Sequence, residues 1–100
     1  MKLGILVYTN KHLGHLLGLV NAAGSKGHQV DIFLMDDGTR LLDDDGFATL
    51  GTQDHVSVAV CDHSAKELGI QTTGRPEWIT IGSQFNHATI AHEADRMIVL

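Results

Sequence analysis

The chain is short of the residues that cross-link, stiffen or anchor a protein. Its 100 residues include one cysteine, one proline and one tryptophan. A single cysteine cannot close an internal disulfide, which agrees with a reducing compartment and leaves any redox chemistry at Cys61 to an outside partner. Basic residues are also scarce. Seven lysines and arginines are scattered along a chain of formal charge −5, whereas phosphate neutralisation needs them clustered, so a general nucleic-acid binder is excluded. No apolar run approaches the roughly 18 residues of a membrane span, and no signal-peptide profile precedes the first strand-like segment. A cytoplasmic protein is the simplest expectation. The dinucleotide fingerprint G-x-G-x-x-G is absent too: the first turn reads Thr9-Asn10-Lys11-His12-Leu13-Gly14. No cofactor is expected.

What is present is enough for one domain. A hydrophobic content of 43% supports a single, modest core, and oligomerisation would help a core of that size. Lys2 to Thr9 is nearly continuous in apolar character, as in a central strand of a sheet covered on both faces. Leu13, Leu16, Leu17, Val20 and Ala23 then form a helical stripe, with Asn10 the expected N-cap and Gly24 and Gly27 ending it. His28 to Met35 reads as a second strand, stopped by an Asp36-Asp37-Gly38 turn. Leu41, Leu42, Phe47 and Leu50 fit one or two short helices around the acidic Asp43-Asp44-Asp45-Gly46 segment. The run His55 to Cys61 is a further strand, and Ser64-Ala65-Lys66-Glu67 has the form of a capping box opening a helix that ends at Gly69. After a polar loop from Gln71 to Pro76, Trp78 to Ile81 is a brief extended piece, Gln84 to Ala94 a helix and Arg96 to Leu100 the last strand. Such alternation predicts a single-domain α/β flavodoxin-like sandwich, with a mostly parallel four- to five-stranded sheet and helices on both faces.

The one thiol falls where such folds do their chemistry. Cys61 closes a strand just before a helix, and the carboxyl ends of parallel strands are where ligands collect. The first amides of the following helix would favour thiolate, and His63 could assist as a cation. Asp62, directly adjacent, would favour the protonated thiol, so the residues argue both ways on the sign of the shift. Seven histidines invite a metal reading, but their spacings do not support it. His12 and His15 are three apart and His87 and His92 five apart, matching neither HExxH nor a Cys2His2 pattern, so no metal site is expected. The three aspartates before Gly46 lack the alternate-position oxygens of a calcium loop.

Taken in order, several segments resemble the DsrE/DsrF-like family, which includes the TusD-type subunits of bacterial sulfur-relay complexes. They are the opening strand Leu3 to Thr9, the Gly27-His28-Gln29-Val30 lead-in to the second strand, and Phe33 with the Asp37-Gly38 turn. Val58-Ala59-Val60-Cys61 followed by Leu68-Gly69-Ile70, and the closing Glu93-Ala94-Asp95-Arg96-Met97-Ile98-Val99, complete the set. The resemblance runs nearly end to end and implies one domain over residues 1–100, a parallel α/β sandwich, and assembly into homotrimers or homohexamers. It also implies a cysteine that carries persulfide sulfur between donor and acceptor proteins or small persulfides, a position on which Cys61 falls. Such a carrier needs one accessible thiolate and no second cysteine in the same chain. His63, or His12 from a nearby strand end, would then stabilise the sulfur anion beside backbone amides. The rival expectation is an oligomeric binding or scaffolding module whose Cys61 is buried and inert. Whether the chain is an enzyme, in the sense of a sulfurtransferase-like carrier, depends on which of the two holds.

Overall fold

The computed structural model describes residues 1–100. Its elements in chain order are β1 (Lys2–Val7), α1 (Leu13–Ser25), β2 (Gln29–Leu34), a 3-10 helix (Asp36–Asp43), α2 (Asp45–Ala48) and a second 3-10 turn (Thr49–Thr52). They continue with β3 (Val56–Cys61), α3 (Asp62–Glu67), β4 (Ile79–Gly82), α4 (Gln84–Glu93) and β5 (Arg96–Val99). The five strands form one all-parallel sheet in the order β4-β3-β2-β1-β5. The expected flavodoxin-like architecture is therefore present, and the brief extended piece near Trp78 is a full fifth strand.

Strand order fixes which face each helix covers. Moving from β1 to β4, every connection steps the same way across the sheet, whereas β4 to β5 jumps back past β1. Right-handed crossovers then put α1 and α3 on one face and α4 alone on the other. The side chains divide accordingly. Ile5, Val7, Val30, Ile32, Leu34, Val58 and Val60 meet Leu16 and Val20 of α1 in the main core. Phe33, Ala59 and Cys61 form a second, smaller cluster with Leu6, Met35 and Ile90 on the α4 side. At roughly 25 cal/mol per Å² the first cluster carries most of the hydrophobic stabilisation.

Local rules account for most of the boundaries. Two helices end in Schellman motifs: Gly27, at φ +76°, is followed by a His28 N–H to Ala23 carbonyl bond of 2.9 Å. Gly69, at φ +72°, is followed by an Ile70 N–H to Ala65 carbonyl bond of 2.8 Å. The α4 helix opens with a capping box, in which the Ser83 hydroxyl accepts from the Phe85 N–H and the Asn86 side chain accepts from the Ser83 N–H.

Three sequence expectations fail. The N-cap of α1 is His12, not Asn10, and it caps without a side-chain bond. Asp36-Asp37-Gly38 does not merely turn the chain: it starts the 3-10 helix, because Leu41 and Leu42 are drawn into the core and Thr39 bonds back to the Asp36 carbonyl at 2.8 Å. Ser64 is not the N-cap of α3. The helix begins at Asp62 with Cys61 as its N-cap, and Glu67 turns to His63 rather than back to the Ser64 amide.

Candidate functional site

In a parallel sheet a crevice opens where the chains leaving two adjacent strands part to opposite faces. Here that happens between β3, whose chain enters α3, and β4, whose chain enters α4 on the other side. Cys61 is the last residue of β3 and pairs across to Gly82, the last residue of β4. The cleft at this edge has a volume of about 730 Å³ and is lined by Met35, Asp36, Cys61, His63, Ser64, Ser83 and Gln84, among others. One wall residue, Asp36, holds φ +48°, an uncommon conformation for a side-chain-bearing residue.

Cys61 itself is only 3% exposed. Alternation along β3 sends its side chain to the α4 face, against Phe33 and Ala59, so its sulfur borders the cleft rather than projecting into solvent. Burial pushes the thiol pKa up. Against that stand the Ser64 hydroxyl and backbone N–H, the Gln84 side-chain amide and the His63 backbone N–H, which lie near enough to the sulfur to favour its anion. Together they outweigh the desolvation and hold Cys61 below the ordinary thiol value. That resolves the sign that the residues alone left open.

The Asp62 carboxylate, whose charge opposes a neighbouring thiolate, is engaged elsewhere. It accepts from Lys66 at 2.9 Å and from the Thr72 hydroxyl at 3.1 Å. The Lys66 contact, against a smaller desolvation effect, lowers the Asp62 pKa, and the same contact raises that of Lys66.

The expected histidines are placed differently from one another. His63 lines the cleft, but its ring is 81% exposed and turned to Glu67 at 2.9 Å, so it reaches the sulfur through its backbone amide alone. His12 stands at the start of α1, stacked on His15 with ring centroids 6.0 Å apart, and is not among the cleft residues. Sequence reasoning missed Gln84, Met35 and the donor role of Ser64. The signal for Gln84 was available in the Ser83-x-x-Asn86 box after an extended piece, but its value depends on β4 lying beside β3. No group of three or more His, Cys, Asp or Glu side chains is arranged to hold a metal ion.

Fold and site thus define a parallel α/β protein with its one thiol at the strand-end crevice. The DsrE/DsrF-like family model matches residues 1–100, and the chain belongs to that family. No curated protein matches it. Two solved structures share the fold across nearly the whole chain. The ychN protein from E. coli aligns with a TM-score of 0.75 at 17% identity, covering 99% of this chain and 97% of that one. The protein of unknown function MTH1491 from Methanobacterium thermoautotrophicum aligns with a TM-score of 0.70 at 13% identity, covering 99% and 98%. No helix is long and apolar enough to cross a membrane.

Proposed function

We propose that the protein is a sulfur-transfer protein in which Cys61 carries sulfane sulfur as a persulfide. The observation that carries this reading is the set of donors from Ser64, Gln84 and His63 around a thiol held below its ordinary pKa despite burial. Family membership supports the same chemistry.

In the first step the Cys61 thiolate attacks the outer sulfur of a donor persulfide. The donor S–S bond breaks, the donor leaves as thiolate, and a Cys61 persulfide forms without any net oxidant. In the second, an acceptor thiolate attacks the outer Cys61 sulfur and regenerates the Cys61 thiolate. Donors facing the site stabilise the anion at both stages. Donor and acceptor are proteins or small persulfides, and the protein works as a homotrimer or homohexamer in a cytoplasmic setting. Assembly is supported by Phe85, Met97 and Val99, which leave an exposed apolar surface on the thinly covered α4 face.

Incubation of the native protein with polysulfide, followed by intact mass measurement, tests the proposal. An increment of one sulfur atom that is discharged by a small thiol is expected. Its absence, or its survival in Cys61→Ser, overturns the reading. The 3% exposure of Cys61 favours one rival, an oligomeric binding or scaffolding module with an inert thiol. Resistance of the native thiol to alkylation at neutral pH would decide for that rival.

A further inference from the structure

Gln84 is a weak orienting group unless something fixes which end of its amide faces the sulfur. The two ends differ in kind: Nε2 donates and Oε1 accepts, and a rotation of half a turn exchanges them. At Oε1 the partner is His87 Nδ1, 3.1 Å away and one turn along α4. An amide oxygen can only accept, so this contact requires the proton on Nδ1. Nε2 donates to Met35 Sδ at 3.9 Å, and Met35 packs against Cys61, so this end of the amide lies on the Cys61 side of the cleft that all three residues line. A thioether has no proton to give, so the same orientation suits both ends.

His87 is in turn held by packing. Its ring stacks on Phe33 with centroids 5.4 Å apart and planes inclined by 19°, and Phe33 is fully buried against Cys61 and Ala59. The ring therefore has a fixed seat, which the first turn of α4 supplies.

We propose that His87 is a positioning residue for Cys61: its Nδ1–H fixes the Gln84 oxygen, so the Gln84 amide presents its N–H groups to the sulfur. The inference rests on the reading of Cys61 as a working thiolate. The other ionisable groups beside the sulfur are Asp36 from the 3-10 helix and Asp62 and His63 from α3. None of these reaches Gln84 by a hydrogen bond.

The pKa of the Cys61 thiol, read from the pH dependence of its reaction with a small disulfide, separates the outcomes. That readout does not require sulfur transfer, so failure of polysulfide loading leaves it intact. Gln84→Ala is expected to raise the thiol pKa by about half a unit to one unit, less than a fully buried hydrogen bond to a charged group because Gln84 is exposed and other donors remain. His87→Phe keeps the ring stack on Phe33 but removes the N–H, and is expected to raise it by a large part of the same amount. His87→Asn, whose amide N–H stands close to the Nδ1 position, is expected to restore it. In a Gln84→Ala background, His87→Phe is expected to change nothing further.

A wild-type thiol pKa in His87→Phe, or an equal shift with and without Gln84, overturns the proposal. A second measurement needs no variant. Nitrogen-15 NMR of the wild-type imidazole is expected to show the neutral His87 ring with its proton on Nδ1, against the Nε2–H tautomer that free histidine prefers. Observation of the Nε2–H form overturns the proposal as well.

Discussion

Removing the Ser64 hydroxyl tests the site most directly, because it deletes one donor to the Cys61 sulfur while leaving the backbone in place. Ser64 is buried at the third position of α3, and alanine is the better helix former there. A hydrogen bond to a charged group contributes about 1.5–3 kcal/mol, and one pKa unit corresponds to 1.36 kcal/mol. Partial relaxation of the remaining donors reduces the loss, so Ser64→Ala is expected to raise the thiol pKa by about one unit. Reactivity does not fall by the full factor of ten. A more basic thiolate is a better nucleophile, with a Brønsted coefficient near 0.45, so each surviving thiolate reacts about threefold faster. Well below both pKa values the variant is therefore expected to react with a small disulfide about threefold more slowly than wild type, and well above them about threefold faster. The two pH profiles cross. A change in access alone would shift both limbs in the same direction, and parallel profiles would refute the claim that the hydroxyl acts on the sulfur anion.

Cys61 also makes stability depend on pH. Its folded pKa lies below the unfolded one, so its contribution is fully present above the unfolded thiol pKa and is lost as pH falls through the folded value. The stability advantage of wild type over Cys61→Ser is expected to grow as pH rises through the thiol range and to level off above the unfolded thiol value of about 8.5, read from urea midpoints; a flat difference would contradict the shift. Arg75 anchors the loop before β4 by donating to the Gln71 carbonyl at 2.8 Å, the Leu42 carbonyl at 2.9 Å and Asp43 at 2.7 Å. Arg75→Ala is expected to cost about 2–3 kcal/mol in denaturant unfolding, and a loss under about 0.5 kcal/mol would show the clamp to be idle. Phe85, 77% exposed on α4, is expected to seat a second copy. Phe85→Asp should lower the oligomeric state in sedimentation velocity, and an unchanged state would place the contact elsewhere.

The sequence by itself determined the kind of fold and the place of the thiol. Apolar runs at Leu3 to Val7, Val30 to Leu34 and Val58 to Cys61 could only be buried strands, and the α1 stripe could only face a sheet. Those signals are local, so they survive without coordinates. Gly69 stopped α3 where expected, since its positive φ and the Ile70 bond behind it depend on adjacent residues alone. The capping motif at Ser64 misled for the opposite reason. Its spacing was right, but the alternative of starting at Asp62 and paying the N-cap with Cys61 brings Ser64 to the sulfur and frees Glu67 for His63. Tertiary structure alone decided the rest. The strand order β4-β3-β2-β1-β5 sends the chains after β3 and β4 to opposite faces, and only that divergence opens a crevice at Cys61. Gln84, more than twenty residues away in the chain, comes to the Cys61 cleft because β4 lies beside β3. Hydrogen bonding at a few ångströms depends on such neighbours, and one-dimensional spacing carries no record of them.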